Sequence, residues 1–163
     1  MRRALLALVL LISATARAEG VGLQMVGEAR LEVLWWPVYD SRLYTPEGSY
    51  AEGVRPLRLE IEYLREVESQ DLVEHTRKEW QRLGVSGVQQ QQWLQELARL
   101  WPDVGKNDVL ALVLDDQDRS TFVLNGKTLG SIEDPGFGRD FLAIWLSPET
   151  SRPELRLALI GDS

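Results

Sequence analysis

Between residues 57 and 63 the chain alternates strictly: Leu57, Leu59, Ile61 and Tyr63 are apolar or aromatic, and Arg58, Glu60 and Glu62 between them are charged. A period of two with one charged face predicts a half-buried antiparallel strand. The period then changes. Leu72, Val73, Thr76, Trp80 and Leu83 form one helical stripe, opened by Ser69 as N-cap and stopped at Gly84. A second helix carries Trp93, Leu94, Leu97, Leu100 and Trp101 and ends at Pro102. Three β segments follow, Val109–Leu114, Thr121–Leu124 and Lys127–Ile132. The last two are joined by Asn125-Gly126, a strong tight-hairpin signal. Val109–Leu114 is apolar throughout, which predicts a central strand covered on both faces. A third helix runs from about Phe137 to Leu146, with Phe141, Ile144 and Trp145 inward, and a short one from Pro153 to Leu159.

Upstream, Leu31 to Leu43 is rich in β-formers but broken by Pro37, which predicts a bulge or an edge position. Thr45-Pro46-Glu47-Gly48 reads as a turn. Strands and helices thus come in blocks, with too little regular alternation for a doubly wound parallel sheet. The predicted class is α+β, a mainly antiparallel sheet with helices laid on one face.

The N-terminus changes the picture of where this domain works. Arg2 and Arg3, an apolar run from Ala4 to Ile12, and Ala16-Arg17-Ala18 follow the order of a secretory signal peptide with cleavage after Ala18. The run is shorter than the ~20 residues that span a bilayer. Residues 1–18 are therefore read as a removed leader and residues 19–163 as one domain, periplasmic or secreted and not membrane-spanning. The 163-residue sequence has a net charge of −7, and losing the arginines of the leader makes the exported part more acidic still. Nucleic acid and anionic lipid surfaces are poor partners for such a chain. With no cysteine there are no disulfides and no thiolate ligands, so stability rests on an apolar core supplied by six tryptophans and many leucines.

Most catalytic chemistry fails on inventory. The single histidine, His75, lies beside an apolar helical stripe and reads as a solvated or partly packed residue. No HExxH, GxSxG or GxxxxGK[ST] is present, so no metal or cofactor is expected. Asp115, Asp116 and Asp118 sit in DDQDRS, which lacks the glycine of a calcium loop and is better read as a solvated hairpin tip.

What remains is Arg30, followed by Trp35, Trp36 and Tyr39. A buried arginine needs an anion, and its planar guanidinium grips a carboxylate in two parallel hydrogen bonds. Tyr39 would add a further bond, and the tryptophans are expected to be core and the wall of a cleft. Alternatively, Arg30 is exposed at a strand edge and pairs with Glu28 or Glu32. Positions nine apart on an ideal strand face opposite ways, so Arg30 and Tyr39 converge only if a bulge near Pro37 shifts the register.

These residues also carry a resemblance. Gly27-Glu-Ala-Arg30, then Val33-Leu-Trp-Trp-Pro-Val-Tyr39-Asp40 and Leu43-Tyr44, resemble the first motif of the bacterial chalcone isomerase-like proteins. The likeness continues through Leu59–Arg65, Phe122–Gly126, Phe141–Leu146 and Thr150–Leu155, nearly the whole exported chain. It implies an open-faced sandwich with an apolar cleft between sheet and helices. In fatty-acid-binding relatives an arginine and a tyrosine hold the acyl carboxylate, and Arg30 and Tyr39 match those positions. The true isomerases have threonine where Tyr39 stands. The start of the motif is one residue shorter than the common spacing. The resemblance therefore implies a non-catalytic binder of a small apolar acid, with Arg30, Tyr39, Trp35, Trp36 and Tyr44 as ligand-binding residues. The alternatives are an envelope protein–protein interaction module and, behind it, an intramolecular lyase of the chalcone isomerase type.

Overall fold

The computed structural model describes residues 22–162; the expected leader and cleavage site lie outside them. Six strands, β1 (Gln24–Val33), β2 (Trp36–Thr45), β3 (Leu57–Tyr63), β4 (Val109–Leu114), β5 (Ser120–Leu124) and β6 (Lys127–Ile132), form one sheet in sequence order, antiparallel at every step. Helices α1 (Ser69–Arg82) and α2 (Val88–Leu100) cross between β3 and β4, and α3 (Pro135–Leu146) and α4 (Pro153–Ile160) close the chain. This is the α+β architecture expected from the periodicities.

The alternation decides the faces. Leu57, Leu59, Ile61 and Tyr63 are buried beneath the helices, together with Leu110, Leu112 and Leu114 of β4 and Phe122 of β5. Over them the helices bring an aromatic chain: Trp80 against Trp93 and Phe137, and Phe122 between Trp101, at 5.3 Å between ring centroids, and Phe141, at 5.6 Å. Such edge-on pairs add to the area they bury. Among the described residues the other face of the sheet carries no helix. There Arg42 bonds Glu62, Arg58 bonds Glu60, and the Tyr44 hydroxyl donates to Glu60. Central β4 is thus covered by helices on one face only. Ala111 is buried on the other because its cross-strand neighbours are Glu60 and Val123, whose side chains close over a methyl group.

Two local expectations shift. The residue before α1 is Glu68, and Ser69 is already helical: its amide donates to the Asp103 carboxylate and its hydroxyl to the Trp101 carbonyl. The cap is therefore tertiary, supplied by the loop after α2. The aspartates between β4 and β5 satisfy themselves: the Asp115 carboxylate accepts from the Gln117 and Arg119 amides and the Arg119 guanidinium, and Asp118 pairs with Arg55. Among the described residues no group of acidic or histidine side chains is arranged to hold a metal ion. Among the described residues no helix is long and apolar enough to cross a membrane.

Glycine is required where β1 meets α4. A Cβ on Gly27 would lie 2.1 Å from the Ala158 carbonyl oxygen and 2.8 Å from that of Leu159, so α4 packs its last turn directly on the backbone of β1.

Candidate ligand-binding site

Between the inner face of the sheet and the helices lies an apolar hollow of about 220 Å³. Leu59, Ile61 and Leu112 form its floor, and Leu72, Phe141 and Trp145 close it from the helical side. A cavity of ~150 Å³ lined by aliphatic and aromatic groups stays dry and admits benzene, so this one has room for a larger apolar body. A second, more polar hollow of about 340 Å³ adjoins it, the two sharing Leu31, Val33, Tyr39, His75 and Trp145 as lining residues. Glu79, Arg82 and Arg152 stand around the second.

Tyr39 stands where the two meet. It is buried, its ring meets Tyr63 edge-on at 6.2 Å, and its hydroxyl accepts a hydrogen bond of 3.1 Å from Trp145 Nε1. The phenol proton remains free to donate. Burial pushes the Tyr39 phenol up to about 12, against the opposing pull of the Trp145 hydrogen bond, so it is a neutral donor at physiological pH. Burial drives the Tyr63 phenol up further. His75 lines both hollows; the chain packed around it lowers its imidazole below the ordinary value, Glu79 opposing, which leaves it neutral at pH 7.

Two arginines complete the polar end. Arg82 closes the last turn of α1, and Arg152 is the residue preceding α4. Among the described residues neither guanidinium is engaged in an ion pair or a side-chain hydrogen bond, although both border the hollow. With Glu79 they leave this end with one excess positive charge. Such a constellation holds an anion beside a neutral hydroxyl donor.

The residues read from the sequence are split by the sheet, and only Tyr39 faces the hollow. Arg30 points out of the opposite face, its side chain 53% exposed, and its guanidinium grips Asp40 through Nε at 2.7 Å and Nη2 at 2.8 Å. Its partner is thus neither Glu28 nor Glu32. The pair holds the Asp40 carboxyl below, and the Arg30 guanidinium above, their ordinary ranges. The bulge foreseen near Pro37 exists: Leu31 opposes Tyr39 while Glu32 opposes Pro37, leaving Val38 as the extra residue. It lies beyond both residues of interest. Arg30–Asp40 and Leu31–Tyr39 stay on consecutive rungs, and consecutive rungs face opposite ways. Tyr44 is likewise outward, on Glu60. Trp35 and Trp36 are neither core nor cleft wall: they are 93% and 72% exposed at the β1–β2 turn.

Sequence reasoning missed Trp145 as the partner of Tyr39, and Glu79, Arg82 and Arg152 as the polar end. A signal existed for Arg152, which falls inside the resembling segment Thr150–Leu155. Arg82 reads from sequence only as a basic residue in a last helical turn.

Comparison with known proteins bears on this geometry. A protein of Haemophilus influenzae, itself uncharacterized, is 33% identical over 142 residues, which are 86% of this chain and 69% of that protein. A solved structure of a fatty-acid binding protein from Arabidopsis thaliana superposes with a TM-score of 0.68 at 14% identity, over 88% of this chain and 89% of that one. At that identity the likeness speaks for the fold alone. The family model described as chalcone isomerase-like matches residues 11–161. With a match across nearly its whole length and the same sheet-and-helix architecture, this chain belongs to the chalcone isomerase-like family.

Proposed function

We propose that the protein is a non-catalytic carrier of a small apolar carboxylate such as a fatty acid. The acyl part occupies the apolar hollow, and the carboxylate lies at its polar end against Tyr39, Arg82 and Arg152. The observation that carries this reading is that an apolar hollow and a polar one adjoin and share Tyr39 as a lining residue. Enclosing about eight methylenes contributes roughly 6 kcal/mol at about 0.8 kcal/mol each. A charge-assisted hydrogen bond to the head group adds about 1.5–3 kcal/mol. After the cost of ordering the ligand, a dissociation constant of about 1–100 μM is expected. A phenol kept neutral at physiological pH and two arginines are suited to hold an anion and poor at taking a proton from carbon, which ranks binding above ring closure. The fatty-acid binding protein of the same fold supports the ligand class by analogy. Export to the periplasm or medium, with cleavage after Ala18, belongs to the same proposal and rests on the Arg2–Ala18 pattern.

Titration of delipidated protein with a fluorescent fatty acid tests the reading. Saturable binding is expected, weakened about tenfold or more in the Arg82→Ala/Arg152→Ala double variant. No saturable binding, or the same affinity in that variant, refutes it.

A further inference from the structure

The β1–β2 turn is built against its own backbone preference. Leu34 and Trp35 take φ of 50° and 73°, the left-handed pair of a two-residue hairpin turn. That turn favours Asn-Gly, and bulky side chains are strained in it. The same molecule makes the β5–β6 hairpin with Asn125-Gly126 at φ of 49° and 80°. One hairpin thus uses the residues the geometry asks for, and the other uses a leucine and a tryptophan. Packing does not explain the choice: Leu34 is 82% exposed, Val33 and Trp36 on either side are also exposed, and Pro37 follows. Strain of this kind persists where a function needs it.

We propose that this hairpin tip is a lipid-surface anchor, which inserts Leu34, Trp35 and Trp36 into the interfacial layer of a bilayer and seats the mouth of the apolar hollow against it. Indole rings favour the membrane–water boundary, where an apolar body and a polar N–H are both satisfied. The tip is an exposed hairpin end, which a fluid bilayer accepts without a matching pocket. Its apolar surface is continuous with the cavity, because Val33, at the base of the turn, and Val38 both line the hollow. Charge selects the lipid. The charged groups near this end of the sheet are Glu32 beside the turn, Arg65, Glu66, Glu68, Asp71 and Asp103 around Val38, and Glu79, Arg82 and Arg152 around the polar hollow under Val33, six acidic against three basic on a chain of net charge −7. The acidic excess disfavours anionic head groups, so the surface is a zwitterionic one, bound by apolar insertion. This claim stands whether or not the hollow carries an acid.

The test uses ligand-free protein with vesicles of phosphatidylcholine and vesicles containing phosphatidylglycerol. Wild-type protein is expected to co-float with phosphatidylcholine vesicles, insensitively to salt, and no better with anionic ones. Tryptophan emission is expected to shift to the blue, since Trp35 and Trp36 leave water while Trp80, Trp93 and Trp101 are already buried. The Leu34→Asn/Trp35→Gly variant, which gives the turn its preferred residues, is expected to unfold at a higher temperature than wild type yet bind vesicles at least tenfold more weakly. Trp35→Ser/Trp36→Ser should lose binding with unchanged unfolding. Absence of flotation overturns the proposal, as does flotation that both variants retain or binding that requires anionic lipid. Concentration-dependent dimerisation abolished by the same variants, without vesicle binding, also overturns it and makes the tip a self-association contact.

Discussion

Replacing Tyr39 with phenylalanine removes one oxygen and leaves the edge-on contact with Tyr63 in place. The oxygen is the acceptor for Trp145 Nε1 at 3.1 Å. Losing that bond costs about 1 kcal/mol net, and leaving a half-buried indole N–H without a partner adds up to about 1 more, less than for a fully enclosed group because Trp145 borders a hollow. The expected destabilisation is about 1–2 kcal/mol, or a fall of about 3–6 °C in Tm for a domain of this size. Tyr63 supplies the control. It lies in the same cavity wall, but among the described residues its hydroxyl has no side-chain or backbone partner, so Tyr63→Phe breaks no hydrogen bond within the protein and should be neutral or slightly stabilising. Urea unfolding of both variants and of a Tyr39→Phe/Trp145→Phe cycle measures the difference. A coupling energy of about 1 kcal/mol between Tyr39 and Trp145 is expected. If the two tyrosine variants agree within about 0.5 kcal/mol, or the coupling is under about 0.3, the hydrogen bond does not organise the site.

Gly27→Ala drives a methyl into two backbone carbonyls of α4; a loss of about 3 kcal/mol, read by thermal unfolding, is expected, and a neutral result would show that α4 can lift off β1 at no cost. Arg30→Ala should leave the affinity for a fluorescent fatty acid within twofold of wild type, since its guanidinium lies on Asp40 across the sheet; a tenfold loss would place a head group on the outer face. Alkaline unfolding should report both buried phenols. Their folded values lie above the ordinary 10, Tyr39 at about 12, so in the folded state they keep protons that the unfolded chain has lost. Stability is then complete below pH 10 and falls above it by about 1.4 kcal/mol per pH unit for each such phenol, and Tyr39→Phe should lower the slope between pH 10 and 12 by about that amount. An unchanged slope in that variant means that Tyr39 titrates normally.

Local pattern alone determined a good deal about this protein. The alternation from Leu57 to Tyr63, the stripe from Leu72 to Trp80 and the Asn125-Gly126 turn each state a period or a backbone angle within a few residues, and each stands in the structure as read. A resemblance spread over many short motifs carried the family for the same reason, since order and spacing are linear properties. What tertiary structure decided is which side chains meet. Arg30 and Tyr39 belong to one motif, but strand parity sends them through opposite faces of the sheet, and the Val38 bulge lies one rung too far along to change that. Trp35 and Trp36 have the composition of core, but a two-residue turn leaves them no second layer to pack against. Conversely, Tyr39 meets Trp145, more than a hundred residues away, and Arg82 and Arg152 line one hollow, bordered by α1 and the start of α4. Strand alternation is written in adjacent residues, whereas the convergence of distant ones is fixed only when helices settle on the sheet.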